Sequence, residues 1–286
     1  MAAPRLLLQT SIAFDPDDWH VGRFSLLTEL LAAEGKVTAR NRTPDYAGSD
    51  PVIRSLSRAD FDEVWLLGTD GGSGLTDEEC AAVDSFQRNG GGVFTARDHQ
   101  NMGLWLRKLQ CVGACNFFHA EGARDPDPQH ACRDDRETMT IDFPNFHSGA
   151  NGDLQRIGPV APLHPLLRRS AAQGVIEFLP AHPHEGGVGS EQKGTRARTV
   201  ARGRSLTTGK EFDLIVALDR SPEFPGRGVV ESSFHHLADY NWDISRGAPS
   251  FVTEPPGSQI RDTPGALDDA KTYVRNTVRW LAPDAG

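Results

Sequence analysis

Apolar positions along the chain alternate between short unbroken runs and three-to-four-residue spacing. Arg5 to Ala13 (RLLLQTSIA), Val64 to Gly68, Val93 to Ala96, Gly174 to Leu179, Phe212 to Leu218 and Gly228 to His236 read as strands, most of them as apolar as a buried parallel strand. Lys36 to Arg42 alternates like a further strand. Between them, Val21, Phe24, Leu27, Leu30 and Leu31 recur at helical intervals from Trp19 to Ala33, with Asp17 or Asp18 to cap the start and Gly35 to end it. Thr76-Asp77-Glu78-Glu79 has the capping-box pattern, and the helix it opens sets Cys80, Val83 and Phe86 on one face before ending at Asn89-Gly90. Shorter helices are predicted near Pro51 to Ala59, around Leu104 to Leu109 and from Ala161 to Leu167, and a long final one from Pro264 to Leu281. Strand–helix units in succession predict an α/β fold.

Two stretches interrupt this pattern. About 111–170 is irregular, with a loop dense in Asp, Pro and Arg from Glu121 to Arg136, and no helix is forced on it. About 186–210 carries Lys193, Arg196, Arg198, Arg202, Arg204 and Lys210, which suits a solvated hairpin or mobile loop, or else an anion-binding face. Residues 1–286 are taken as one domain containing both.

Composition narrows the partners. With 30 basic and 39 acidic residues the formal net charge is -9, which repels phosphate backbones, so no nucleic-acid partner is expected. No run approaches membrane-spanning length and Met1 to Gln9 lacks a signal-peptide pattern, so no membrane partner is expected. Cys80, Cys111, Cys115 and Cys132 form neither paired CxxC motifs nor a disulfide framework, and a cytoplasmic location is expected. The expected partner is a small-molecule ligand, with a homo-oligomer left open.

The candidate chemistry gathers at strand ends. Gly90-Gly91-Gly92 leads out of a helix into Val93 to Ala96, and Arg97-Asp98-His99 follows as an abrupt polar corner before the next helix. Asp98 is either a helix N-cap or part of a site. His182-Pro183-His184-Glu185 and His235-His236, with Asp239, stand after two other strands. The carboxyl ends of parallel strands share one edge, so these three segments converge there. Imidazoles and carboxylates at one edge suit proton transfer or a divalent metal. Trp19, His20, Tyr240 and Trp242 are candidate lid or wall groups, and Glu185 joins them as a candidate ligand contact.

The capping box, the glycine triplet before a strand and Phe234-His235 after a late strand resemble the class I glutamine amidotransferase-like superfamily, and within it the trehalose-utilisation (ThuA-like) branch. The resemblance runs from Arg5 to Leu281. It implies a flavodoxin-like, mostly parallel sheet with helices on both faces and an inserted irregular or β region. The superfamily's Gly-x-Cys-x-Gly-His-Gln elbow falls on Phe94 to Gln100, which places Ala96 at the nucleophile position. Its Phe-His-Pro-Glu segment falls on Phe234-His235-His236-Leu237, so His235 matches the histidine and Leu237 stands at the glutamate. Without a thiolate, glutaminase chemistry has no attacking atom. The ThuA-like branch often lacks that cysteine and is associated with keto-sugar and glycoside metabolism, which implies a sugar-like ligand.

Three readings follow. The first is a small-molecule hydrolase or lyase, needing no cofactor, with His235 and His99 in proton transfer, Asp98 orienting one of them and Arg97 holding a developing oxyanion. The second is a divalent-metal enzyme with His99, His184, Glu185 and His235 as ligands. The third is a non-catalytic ligand-binding protein on the same scaffold, which His99 and His235 on opposite faces of the sheet would favour.

Overall fold

The computed structural model describes residues 3–128, 134, 138, 140, 141, 143–169, 174–190 and 196–283. Cys132, Lys193 and part of the Asp/Pro/Arg-rich loop lie outside the described residues. The strands are β1 (Arg5–Thr10), β2 (Lys36–Asn41), β3 (Glu63–Leu67), β4 (Gly92–Ala96), β5 (Asn116–Phe117), β6 (Leu154–Arg156), β7 (Gly158–Pro159), β8 (Phe178–Pro180), β9 (Gly187–Val188), β10 (Ala197–Arg204), β11 (Glu211–Leu218) and β12 (Gly228–Glu231). The α-helices are α1 (Ser25–Glu34), α2 (Pro51–Arg54), α3 (Asp77–Arg88), α4 (Asp239–Trp242), α5 (Gln259–Asp262) and α6 (Ala266–Leu281).

Eight strands form the main sheet in the order β2-β1-β3-β4-β12-β11-β10-β7. The first five are parallel. Counted along the chain they give the order 2-1-3-4-5 of the flavodoxin-like class, with β11, β10 and β7 added antiparallel beside β12. The basic stretch from Ser190 to Lys210 thus contributes one arm of a hairpin, β10, paired with β11.

Alternation along each strand feeds two cores. Leu6, Leu8, Trp65, Leu67, Phe94 and Ala96 face α1 and α6, where Leu27, Leu31, Tyr273 and Val278 meet them. Leu7, Val64, Leu66, Val93 and Val230 face the opposite layer, with Ile53, Cys80, Val83 and Phe86. The capping box forms as predicted: Glu79 N–H donates to Thr76 Oγ1 at 3.3 Å and Thr76 N–H to the Glu79 carboxylate at 2.5 Å. The start of α1 is capped from far away instead, since Ser25 and Leu26 N–H donate to the Asp239 carboxylate at 3.0 and 2.8 Å. Asp239 is therefore a helix cap and no longer a site candidate, and Asp17 and Asp18 do not cap α1.

Other boundaries also moved. Gly174 to Leu179 is extended only at its end, as part of β8. Leu104–Lys108 is a 3-10 turn entered from a left-handed Gly103, so no helix N-terminus opens at Asp98. The histidine pair does not continue β12; Phe234–Leu237 is a 3-10 turn in which Ser233 Oγ accepts from His235 N–H. The inserted region contributes short pairings, β5 with β9 and β6 with β8.

Candidate functional site

Register brings the corners together. Ala96 pairs with Glu231 across β4 and β12, so both chains leave the sheet at the same level. The contact continues past the strands, with Phe234 N–H donating to Arg97 O at 2.7 Å. The third corner, 182–187, docks on these two: Gly186 N–H donates to Ser232 O at 3.0 Å. A Cβ at Gly186 would lie 2.4 Å from Asp98 O, 2.7 Å from Arg97 Nε and 2.8 Å from Ser232 O, so only glycine permits this approach.

At the junction stands Asp98. His99 Nδ1 lies 3.3 Å and His235 Nε2 3.4 Å from Asp98 Oδ2, while His182 Nδ1 lies 3.5 Å from Oδ1. The His182 and His235 rings are stacked, with centroids 3.7 Å apart and planes 13° from parallel. Trp19 meets His235 edge-on at 4.6 Å and forms a wall. Ser233 Oγ lies 3.1 Å from His182 Nδ1. Asp98, His182 and His235 are buried, and His99 is the more open side chain of the group, one-fifth exposed at 20%. A second carboxylate–imidazole pair stands beside it: His184 Nε2 is 3.1 Å from Glu254 Oε1, and the His184 ring lies 5.3 Å from His99 and 5.5 Å from His182.

Burial acts against charge on Asp98, His182, His235 and Glu254, and the neighbours decide which keep it. For Asp98 burial is outweighed by the facing imidazoles, His99 first, which hold its carboxyl well below the ordinary range. For His182 burial dominates and facing His235 adds to it, so its pKa falls well below the usual value. Burial lowers His235 too, against the opposing pull of Asp98. Burial thus favours the neutral form of both stacked rings. The hydrogen bond from His184 holds Glu254 at about 2 despite its burial.

His236 belongs to a different network on the same turn. Its Nε2 is 2.9 Å from Glu185 Oε1 and its Nδ1 3.5 Å from Glu231 Oε2. Burial would lower its pKa, but the charge and hydrogen bond of Glu185, reinforced by Glu231, raise it to about 10. Glu185 also accepts from Ser148 Oγ, Gln155 Nε2 and Ser232 Oγ at 2.6–2.8 Å. This buried ion pair ties the insertion to the corner after β12.

Of the predicted site residues, Asp98, His99 and His235 come together, and Trp19 stands against them. His99 and His235 both face one carboxylate oxygen, which removes the opposite-faces argument for a non-catalytic scaffold. Arg97 is a correction. Alternation sends it to the other side of the sheet, where its guanidinium donates to the carbonyls of Asp98, Gly187 and Gln100 at 2.7–3.2 Å and lies over Phe118. It is fully buried, and burial brings its pKa down to about 9. It clamps the corner, including the left-handed Gln100 at φ 45°, and no ligand can reach it.

The predicted metal set of His99, His184, Glu185 and His235 is also not assembled. Glu185 is consumed by His236, and the described residues whose ligand atoms converge are Asp98, His182 and His235. His182, from the same segment as the predicted His184, stands in the converging group instead, and Glu254 carries no signal in the sequence. Trp242 is buried behind the turn, donating Nε1–H to His236 O at 2.7 Å, and does not line the site. Tyr240 is buried on α4, its pKa raised by burial and by the charge of Glu254. His20 caps the 3-10 turn Val21–Phe24 by accepting from Gly22 N–H at 3.1 Å, with its ring edge-on to Phe14.

Ala96 is fully buried at the elbow. Cys80, Cys111 and Cys115 lie buried in the α3 layer, where burial pushes the thiols of Cys80 and Cys115 up to about 12 and that of Cys111 well above its ordinary value. None of these three supplies a thiolate to this corner.

No family model matches the chain, and no curated protein matches it. Among solved structures, a ThuA-like protein from Parabacteroides merdae superposes with a TM-score of 0.55 at 12% identity, covering 99% of this chain and 92% of that one. A cytoplasmic protein of Salmonella typhimurium LT2 superposes with a TM-score of 0.53 at 9% identity, covering 97% and 99%. The glutaminase domain of Trypanosoma brucei CTPS gives a TM-score of 0.44 at 12% identity over 99% and 96%. The likeness is one of fold: the chain shares the α/β fold of the Parabacteroides and Salmonella proteins. No helix among the described residues is long and apolar enough to cross a membrane.

Proposed function

We propose that this protein is a hydrolase or lyase of a small, polar, sugar-like metabolite, acting by general acid–base catalysis at the Asp98 corner. The observation that carries this is the pairing of two carboxylate–imidazole units, Asp98–His99 and Glu254–His184, with rings 5.3 Å apart at one sheet edge. Hydrolysis and elimination both require a proton to be removed at one atom and another to be delivered nearby. Two imidazoles, each held by its own carboxylate, suit that exchange: one ring takes a proton and the other returns one. Asp98 and Glu254 set ring orientation and stabilise the imidazolium that forms. His182 and His235 hold Asp98 from behind, and Trp19 closes that side. Ala96 at the elbow argues against a covalent thioester route, and the ThuA-like fold leaves a sugar-like ligand as the first class to try.

The test is turnover of a panel of disaccharides, aryl glycosides and keto-sugars, followed by proton NMR. His99→Asn and His184→Asn are each expected to lower the rate by roughly 100-fold or more, the usual contribution of a positioned acid or base. Unchanged turnover in both variants would remove the acid–base assignment.

A further inference from the structure

We propose that Asp98, His182 and His235 form a binding site for one divalent first-row transition ion, with Zn²⁺ as the probe. The inference rests on the same corner being the functional centre, but it concerns the inner groups rather than the His99–His184 pair.

The first argument is geometric. One ligand atom from each of the three residues lies within 4.8 Å of the others. His235 Nε2 lies 3.4 Å from Asp98 Oδ2 and His182 Nδ1 3.5 Å from Asp98 Oδ1, one imidazole on each carboxylate oxygen. Ligands held at about 2.0–2.1 Å around a tetrahedral ion stand roughly 3.3–3.4 Å apart. Ordinary charge-assisted hydrogen bonds close to about 2.7–2.9 Å, which none of the three imidazole contacts does.

The second argument concerns partners. The buried Asp98 carboxylate accepts His99 N–H at 2.8 Å, and among the described residues no other hydrogen bond to it is as short. His235 Nδ1, the ring nitrogen not facing Asp98, is buried with no hydrogen-bond partner, and His182 Nδ1 also lies 3.1 Å from Ser233 Oγ. Neighbouring carboxylates show what saturation looks like here: Glu185 accepts from two hydroxyls and an amide besides facing His236. Glu254 is engaged by His184 and by Thr138 Oγ1. Asp98 accepts one short hydrogen bond, from the His99 backbone, and faces three imidazole nitrogens at 3.3–3.5 Å.

The chemistry of the set selects the class of ion. Two imidazole nitrogens and one carboxylate suit Zn²⁺, Fe²⁺, Co²⁺ or Mn²⁺ rather than Ca²⁺ or Mg²⁺, which prefer all-oxygen shells. Three protein ligands leave a position open, as in sites that act on a substrate rather than only brace a fold. His99, beside the same carboxylate and partly exposed, borders the group. The ligands come from three separate corners, which is why no short histidine motif announces them.

The experiment uses the full chain without a histidine tag, stripped with EDTA and titrated with ZnCl₂ by calorimetry and with CoCl₂ by visible absorption. One ion per chain is expected. Affinity should fall by about 100-fold or more in Asp98→Asn, His182→Asn and His235→Asn, since even groups behind a ligand are worth roughly 10- to 100-fold. It should hold in His164→Asn, a buried histidine edge-on to Trp280 and outside this corner. X-ray absorption at the zinc edge of the wild-type protein needs no variant and should report two imidazoles and an oxygen. No saturable binding, a sulfur or all-oxygen shell, or undiminished binding in folded His182→Asn and His235→Asn would overturn the site. Loss of turnover in His99→Asn of a protein that binds no ion would leave the acid–base reading standing without the metal. Ion binding as described, with turnover unaffected in His99→Asn and His184→Asn, would leave the metal site without that reading.

Discussion

His235 and His236 are neighbours of the same type, equally buried, yet their surroundings give them opposite roles. His235 is neutral, stacked between Phe234 and His182, and touches Asp98 at 3.4 Å. His236 is the cation of a buried ion pair, and its removal would strand Glu185 and Glu231 in the core. Breaking a buried pair from one side is typically worth about 3–5 kcal/mol. His236→Asn is therefore expected to lower unfolding free energy by that order. His235→Asn should lose about 1–2 kcal/mol through packing, together with the zinc affinity and the turnover assigned to this corner. Denaturant unfolding of the two variants side by side is the check; equal losses would mean that charge for His236 and ligand contact for His235 are misassigned. The non-equivalence was legible from the superfamily match of Phe234-His235. The means was not, because a 3-10 turn rather than a continued strand separates the two rings.

At the scale of elements, the site depends on three corners packed at one level, and Gly186 is where they meet. Replacing it by Ala puts a methyl carbon against two carbonyls and Arg97 Nε at under 3 Å, none of which is a freely moving chain end. Gly186→Ala is expected to destabilise by roughly 1–3 kcal/mol, the usual range for overpacking, and to weaken zinc binding by drawing His182 away from Asp98. A variant with wild-type affinity and stability would show that the corner tolerates slack. Much of this arrangement was readable in advance. Val93 to Ala96, Val64 to Leu67 and Phe212 to Leu218 announced buried strands, and carboxyl-end convergence follows from parallel order. Arg97 was misread although strand alternation carried the answer: residues 94, 96 and 98 face one layer and 93, 95 and 97 the other. Glu254 and the Asp239 cap could not be read, because each acts across more than 60 residues of chain through a loop with no periodic signal.

Across the whole molecule, the candidate site and one large electrostatic strain sit at opposite ends of the same sheet. The Asp98 corner leaves the carboxyl end of β4, while Glu63 opens β3 at the amino end, paired with Leu6 and Gly92 between β1 and β4. Its carboxyl is fully buried with Trp65 Nε1–H donating to it at 3.0 Å, and burial, aided by the charge of Asp62, raises its pKa to about 8. A carboxyl raised this way is neutral in the fold but ionises in the unfolded chain near its ordinary value. Its contribution to stability is thus complete below about pH 4.5 and is lost as pH rises through about 8. Over that window the loss is on the order of a few kcal/mol, since each unit of pKa difference corresponds to about 1.4 kcal/mol. Glu63→Gln, nearly the same shape and unable to ionise, is expected to flatten the fall in unfolding free energy between about pH 5 and pH 8. Four further strand residues at about 3.3 Å each separate this position from the edge that carries the candidate site. Zinc affinity in the same variant should therefore keep its wild-type pH dependence. Denaturation curves across that range, run beside zinc titrations, separate the two edges: an unflattened stability curve would mean that Glu63 is ionised in the folded protein, and a shifted zinc profile would mean that the sheet couples its two ends.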